Sequence, residues 1–427
     1  MSLTTAMFSA VSGLDNNSTD LSVIGDNIAN ANTIGFKGSR AAFEDALAQT
    51  LIGGAGQRGL GSRLQAVQRM ITQGALTNTG MATDLALQGK GFFVVKGEHN
   101  GVDGQFYTRA GQFTVDDSGY LVDLQGLRVQ GYLADDLGTI SQGMGDLMVG
   151  SAPASPRPTG DVTLKGNLQA DAVVPAAFDA TQASATSNFS TSTTVYDSLG
   201  TAHQVDIYYR RSGAGTWEWH ALSDGGGLTG GTAGTPTEIA SGTLTYDTSG
   251  NLADMTQTSN FTPLGSVNPQ ALNFNFGDPT AASGTGAKGL TQFASPSTVT
   301  FMNQDGYASG ELARISIEAD GTIMGAFTNG QSRALGQVAL ADFEAPDRLE
   351  RLGGNLYGEM PASGQPTLGA PGNGGRGSVV AGALEQSNID LATEFVRMIS
   401  AQRGFQANSK TITTADQLLN ELIALKR

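Results

Sequence analysis

The residues of this 427-residue chain that could do chemistry are three histidines, a few paired carboxylates and one glycine-spaced segment. Gly54-Ala55-Gly56-Gln57-Arg58-Gly59 has the glycine spacing of a dinucleotide-binding turn. Such a turn must follow a strand and open an apolar-periodic helix, so that backbone N–H groups meet the phosphates. Neither flank fits, and the segment reads as a flexible loop. His99 lies in the polar turn Glu98-His99-Asn100-Gly101, while His203 and His220 flank expected strands. None clusters with carboxylates at metal-ligand spacing, so surface or strand-edge positions are expected. Asp116-Asp117 and Asp135-Asp136 fall in turn-like stretches, where Asp bonds to its own backbone. A Gly-x-Ser-x-Gly elbow and a His-Glu-x-x-His pair are both absent from the sequence. No metal, cofactor or catalytic constellation is expected, and the chain does not read as an enzyme.

Composition narrows the partners. The net charge is −15, from 24 basic and 39 acidic residues, which argues against nucleic acid and against anionic membrane. There is no cysteine, which excludes disulfides, zinc–thiolate sites and thiol nucleophiles. No run of about 18 apolar residues exists, so membrane insertion is not expected. The N-terminus lacks the cationic and apolar regions of a cleaved secretory signal. Gly makes up 59 residues, about twice the usual share.

The elements follow from periodicity. Leu384, Leu391, Met398, Phe405, Ile412 and Leu419 recur every seven residues, with Phe395, Ala401, Ala415, Leu422 and Ile423 beside them. Only Gly404 interrupts this stretch, which predicts a helix over 384–427 that supercoils against a partner. Such a helix would be roughly 60 Å long, too long to hide in one small domain. At the other end, Leu3, Ala10, Asn17 and Ile24 fall on one heptad position and Met7, Leu14, Leu21 and Ile28 on another. They predict a helix over 1–30, roughly 40 Å long, with Asn17 on the seam where a polar residue fixes register. A pair of helices that bury their seams only against each other is the simpler alternative.

Between them the chain reads as β. Asn30, Asn32, Gly35 and Gly38 end the first helix, and 31–79 reads as a connecting loop region. Phe92-Phe93-Val94-Val95 is a strand, 106–115 and 120–122 a hairpin, and 127–133 a further strand. Strands of the same character return at 312–317, 323–327 and 335–340, so 80–145 and 303–383 are expected to form one discontinuous β domain. The span 151–300 holds five basic and eleven acidic residues and is dense in Ser, Thr, Gly and Ala. Val205, Ile207 and Tyr209, and likewise Phe274 and Phe276, alternate with polar residues as half-buried strands do. An all-β domain inserted over 146–302 is expected. The fold class is α+β: N- and C-terminal coiled-coil helices, a discontinuous all-β domain and an inserted all-β domain.

Three separated segments carry a family resemblance. Asn27-Ile28-Ala29-Asn30-Ala31-Asn32-Thr33-Ile34-Gly35-Phe36-Lys37 resembles the N-terminal signature of bacterial flagellar rod and hook proteins. Leu384-Glu385-Gln386-Ser387-Asn388 to Lys410, including Gln402-Arg403-Gly404-Phe405-Gln406-Ala407-Asn408, resembles the matching C-terminal signature. Thr83-Asp84-Leu85-Ala86-Leu87-Gln88-Gly89-Lys90-Gly91-Phe92-Phe93 looks like the family's first β-domain strand. Within the insertion, Lys165-Gly166-Asn167-Leu168 and Val195 to His203 resemble the middle region of hook members. Distal rod members lack a large insertion, so the resemblance implies a hook role, with a distal rod role as the nearest rival.

The resemblance implies a homopolymer of many copies forming a curved helical tube, a flexible joint that passes torque from rod to filament. Terminal helices would form its inner layer, the discontinuous domain the middle layer and the insertion the outer surface. Implied partners are the rod and hook–filament junction proteins, the hook cap and the flagellar export apparatus, with export to the extracellular hook without a cleaved signal. Subunit contacts are expected at Leu3, Met7, Ala10, Leu14, Leu21, Ile24, Ile28, Asn30, Phe36 and Lys37, and at Leu384, Leu391, Phe395, Met398, Phe405, Ile412, Leu419 and Leu422. A helix seam unsatisfied in one copy makes assembly cooperative, because its burial needs neighbours.

Overall fold

Two helices, Leu3–Ala29 (α1) and Leu391–Leu425 (α2), stand at the two ends of a chain that is otherwise β-stranded. The computed structural model describes residues 3–46, 49–50, 57–58, 61–150 and 153–425, and the side chains of 6–46, 61–150 and 153–421. Local chemistry sets the helix ends. The backbone N–H and the side-chain amide of Asn30 both donate to the carbonyl of Asp26, at 3.1 and 2.9 Å, closing the last turn of α1. Asp390 caps α2: its carboxylate accepts from the Thr393 N–H at 3.0 Å. The second helix therefore begins at Leu391, seven residues later than the heptad line suggested. Leu384 lies in the strand Ala383–Glu385, paired with Leu76–Asn78, and is buried there. No helix among the described residues is long and apolar enough to cross a membrane.

The chain divides into two units. The first comprises Met1–Ala152, Ala313–Ala326 and Ser332–Arg427. Its main sheet interleaves the two halves of the chain. The strand Arg128–Ala134 pairs antiparallel with Phe92–His99 at Arg128 and Val129, and with Ser332–Val338 at Gly131 to Leu133. Phe92-Phe93-Val94-Val95 is apolar without a break because both faces of its strand are covered. Phe93 and Val95 enter a core with Phe113, Leu121, Ile323 and Val338. Phe92 and Val94 point the other way, against Tyr107, Phe343 and Tyr357. The hairpin expected over 106–122 is split. Val102–Thr108 pairs with Phe92–His99, and Phe113–Val115 pairs separately with Leu121–Asp123.

The connecting region 31–79 is not a loop throughout. Ser39–Asp45 and Ser62–Arg69 form an antiparallel hairpin with a bulge after Ala42, and it packs on α1. The alternation in 62–69 is irregular because most of that strand is exposed on both faces. The glycine-spaced segment is described only at Gln57–Arg58, which pairs with Gln49–Thr50; the rest of 54–59 lies outside the described residues.

The second unit comprises Pro153–Leu312 and Phe327–Gln331. Its boundaries lie further along the chain than 146 and 302. Leu147 and Val149 belong to the first unit's core, and Thr298–Gln304 pairs with Asp161–Gln169 inside the second. One antiparallel sheet runs Phe189–Tyr196, Ala202–Gly213, Thr216–Asp224, Pro236–Tyr246, Leu252–Met255. A mixed sheet around Asp161–Gln169 adds Asn273–Asn275, Leu290–Phe293 and Thr298–Gln304. The period-2 residues Val205, Ile207, Tyr209, Trp217, Trp219, Phe274 and Phe276 share one buried core. Both tryptophans of the chain lie there, so tryptophan fluorescence reports on this unit. Phe276→Ala should shift the fluorescence-detected denaturation midpoint by about 3–5 kcal/mol of stability, whereas Phe93→Ala should leave it in place; equal shifts would show one cooperative unit.

Candidate assembly interface

The first unit ties both ends of the chain to its β-sheet at one buried carboxylate. The Lys37 ammonium lies 2.6 Å from Glu385 Oε1, with both side chains wholly buried, and Arg109 lies 3.2 Å from Oε2. The Gly74 N–H donates to Oε1 at 2.9 Å. Backbone carbonyls take up further donors: Lys37 Nζ donates to Thr72 O, and an Arg109 Nη to Gly89 O, each at 2.8 Å. Burial holds the Lys37 ammonium below its ordinary value, opposed by the charge and hydrogen bond of Glu385. Burial lowers Arg109 in the same way. Two cations against one carboxylate make Glu385 the group the cluster cannot lose. The backbone fits as closely. Gly35 has φ +69°, its N–H donates to Glu385 O at 2.7 Å, and a Cβ there would come within 2.6 Å of the Ala110 nitrogen.

Asparagines extend this junction to the helices. Asn27 of α1 exchanges two hydrogen bonds with the Ser39 backbone, at 2.8 and 2.9 Å, and donates to Glu394 Oε2 of α2 at 3.2 Å. Asn388 accepts from the Gly38 N–H at 2.9 Å and donates to Met70 O and Thr72 Oγ1, each at 2.8 Å. Arg351 pairs with Asp26 at 2.8 Å and lies over the Phe36 ring.

Beyond the junction, α1 and α2 run antiparallel along a seam of small and polar residues. Gly13 faces the Asn408 side chain and Gly404 faces Asn17, so each asparagine fits against a glycine on the other helix. Asn17 also donates to Gly13 O of its own helix at 2.6 Å. Ala10, Ile24 and Asn27 are the buried seam residues of α1, and Glu394, Ala401 and Ala415 those of α2. Such small contacts let backbones approach but bury little apolar area. The large apolar side chains remain in solvent: Phe8 is 71% exposed, Leu391 41%, Phe395 49%, Val396 68% and Ile399 50%.

The expected contact residues therefore divide. Ala10 and Ile24 are buried within the chain, and Met7, Leu14, Leu21, Ile28, Asn30, Met398, Ile412 and Leu419 are half-buried. Leu391, Phe395 and Phe405 are exposed. The side chains of Leu3 and Leu422 lie outside the described residues. The line facing α1 is Glu394, Ala401, Asn408 and Ala415, three residues on from the expected Leu391 line. Three expectations need correction. Leu384 is a strand residue of the sheet. Phe36 and Lys37 are buried inside their own chain and cannot reach a neighbour's surface. Asn27, Lys37, Glu385 and Asn388 all lay inside the signature segments, but Arg109 carried no signal in the sequence.

Elsewhere the side chains with chemical potential are structural. His203 is buried rather than at a surface, 3.3 Å from Asp197. His220 stacks on Phe178 and bonds Glu238 at 2.7 Å. His99 contacts Leu352 O at 3.2 Å. Asp116 and Asp135 cap their own turns, each accepting two backbone N–H groups. Among the described residues no group of three or more His, Asp or Glu is placed to hold a metal.

Comparison with known proteins covers nearly the whole chain. Residues 7–37 match the family described as flagella basal body rod protein, and 380–425 the flagellar basal body rod FlgEFG protein C-terminal family. Residues 86–183 match the flagellar hook protein FlgE/F/G D1 domain, and 167–307 the flagellar basal body protein FlaE D2 domain. The chain is 36% identical to the flagellar hook protein FlgE of Treponema pallidum, over 99% of both chains. It is 34% identical to that of Escherichia coli, over 99% of this chain and all of the other. The crystal structure of Helicobacter pylori flagellar hook protein FlgE2 shares the fold at TM-score 0.50 and 17% identity, covering 73% of this chain and all of that one.

Two outcomes follow from the geometry. Glu385→Gln leaves two buried cations unpaired and should cost about 3–5 kcal/mol; Lys37→Met keeps the Arg109 pair and should cost less. Hydrogen exchange at the Gly35 and Gly74 amides measures both, and the reverse order would remove Glu385 from its central place. Burial also raises the Asp20 carboxyl above its ordinary 3.8, with Arg397 opposing and Glu394 reinforcing. A raised folded value favours the protonated fold: the contribution is full below 3.8 and is lost as pH rises through the raised value. Protection of the helix pair should therefore strengthen on mild acidification, and Asp20→Asn should flatten that response.

Proposed function

The chain belongs to the flagellar hook protein family and is a structural subunit of the bacterial flagellar hook; from that premise we propose how its copies are joined and what the joint does. The carrying observation is the row of large apolar side chains that α1 and α2 leave in solvent although the two helices are packed together. Leu391, Phe395, Val396 and Ile399 form a strip at i, i+4, i+5 and i+8 along the start of α2. Neighbouring copies bury this strip, so the terminal helices line the inside of a curved helical tube. The second unit, rich in short polar side chains, forms the outer surface. Tight helix packing resists twist while polar outer contacts slide, which suits a flexible joint passing torque from rod to filament.

The subunit leaves the cell unfolded through the flagellar export apparatus and meets the hook cap, the rod and the hook–filament junction proteins. Its chemistry is assembly rather than catalysis. The junction around Glu385 supports this order of events. Lys37, Thr72, Gly74, Arg109 and Glu385 come from distant parts of the chain and close only when the β-sheet has formed, after which the helix pair is anchored to it. The first unit can then present its apolar strip on a rigid base.

Leu391→Asp tests the strip. In the single chain the new carboxylate would sit in water at the first turn of α2, where the helix dipole favours it. The folded monomer should melt unchanged. In a tube the same carboxylate would be buried without a partner, at a cost of several kcal/mol, and polymerisation should stop. Normal tubes from this variant, seen by electron microscopy, would put the subunit contact elsewhere.

A further inference from the structure

Asn followed by Gly occurs three times in the chain, at Asn100-Gly101, Asn329-Gly330 and Asn373-Gly374. In such a pair the next backbone nitrogen can attack the side-chain amide, because Gly has no Cβ to shield it. Attack needs that nitrogen and that amide unengaged, and the backbone between them able to turn. Two of the three pairs are held. The Asn329 side chain donates to Ala308 O at 2.8 Å and accepts from the Gln331 N–H at 3.1 Å. The Gly330 N–H, which would have to attack, donates to Phe327 O at 3.0 Å. Asn100, at φ +52°, opens the tight hairpin turn between the paired residues His99 and Val102. Rotating its backbone would break that pairing, and its side-chain amide contacts His99 Nε2 at 3.0 Å.

Asn373-Gly374 differs. Both residues are exposed, at the tip of a loop closed by the Gly372 N–H to Gly377 O bond at 2.9 Å. Among the described residues no hydrogen bond engages the Asn373 side chain or the Gly374 N–H. Gly375 follows, so no side chain crowds the nitrogen from the far side. The loop also carries a cation. Arg376 folds back, its Nε donating to Ala370 O at 3.2 Å, and a Cβ placed on Gly374 would stand 3.1 Å from its Nη2. A guanidinium so close to the Gly374 amide stabilises that amide's conjugate base, which is the attacking form. The tie that has to break is the Arg376 N–H to Asn373 O bond, at 3.2 Å.

We propose that Asn373 is a self-modification site, which the folded chain deamidates through Gly374 with Arg376 beside the reacting nitrogen. Hydroxide takes the Gly374 amide proton, and the nitrogen attacks Asn373 Cγ. An N–C bond forms, the Cγ–Nδ2 bond breaks, and the amide nitrogen leaves as ammonia with a proton from water. Water then opens the cyclic imide at either carbonyl, giving aspartate or isoaspartate. Nothing is oxidised or reduced, and the step needs one chain and water only. Each chain so altered gains one negative charge on its net −15, placed next to the Arg376 cation. Where isoaspartate forms, the backbone also lengthens by one methylene. That change falls just ahead of the strand Ser378–Ala381, which pairs with Leu85–Gln88 and leads into Glu385. The fold protects Asn100 and Asn329 from the same chemistry, so the alteration is confined to one loop.

The test follows the full-length chain, held folded in mildly alkaline buffer and digested at intervals under mildly acid conditions. Peptide masses give deamidation at each of the three asparagines, and methylation by an isoaspartyl methyltransferase counts the isoaspartate. Asn373 should react faster than Asn100 and Asn329 by about tenfold or more, since held sites react only through local opening. In urea the three sites should react at similar rates, which separates the fold's contribution from that of the Asn-Gly sequence. Arg376→Gln should slow Asn373 by about fivefold, the effect of one unit charge a few ångströms away in a largely aqueous setting. Arg376→Lys should restore part of the rate. Equal rates at the three sites of the folded chain would overturn the assignment. So would faster reaction at Asn100 or Asn329, or an unreactive Asn373 in a chain whose unfolded form reacts. An Arg376→Gln rate equal to or above that of the unsubstituted chain would remove the guanidinium from the step.

Discussion

A single buried carboxylate organises the first unit. Glu385 stands where the returning C-terminal chain passes the segment that leaves α1, and it holds Lys37, Arg109 and the Gly74 amide together. Burying an ion is costly unless its partners are complete. Here the partners come from three separate stretches of chain, so the cluster is satisfied only when all three meet Glu385. That requirement converts a local ion pair into a condition on topology. The helix ends, the hairpin over 39–69 and the central sheet are fixed to one another because none of them alone can satisfy the charge.

The helix pair follows a different logic. Its internal seam is made of glycine, alanine and asparagine, with Glu394 and Asn27 at the end nearest the junction. Asparagine against glycine fixes register sharply, since a slip of one turn would bring Asn17 or Asn408 against a larger residue. It contributes little hydrophobic stabilisation, because few large apolar groups are removed from water. The pair is thus specific without being self-sufficient, and the larger apolar residues remain for other surfaces. An exposed apolar surface of this kind marks an interaction site.

The second unit is built by ordinary sandwich packing. Alternating residues of the sheet around Val205–Tyr209 and Trp217–Ala221 meet Phe274 and Phe276 from the mixed sheet. Its surface is sparsely charged and rich in Ser and Thr. Its core contains no residue of the terminal helices.

Periodicity in the sequence determined the two terminal helices, the alternating strands at 205–209 and 274–276, the doubly buried run at 92–95 and the interruption of the β domain by an insertion. These are local properties: an α-helix or a strand imposes its repeat on whatever residues form it. The signature segments also marked the stretches that hold Asn27, Lys37, Glu385 and Asn388. Tertiary structure alone decided what those residues do. Phe36 and Lys37 turn inward because Glu385, 348 positions away from Lys37, needs their stretch of chain. Leu384 shares the heptad spacing of Leu391, yet it pairs with Thr77 in a sheet because Asp390 starts the helix after it. The heptad pattern announced a seam but not which of two adjacent lines would face α1. That choice fell to Asn17 and Gly404, whose fit depends on the register of two helices nearly four hundred residues apart. A repeat is written along the chain, whereas a contact depends on what the fold places opposite it.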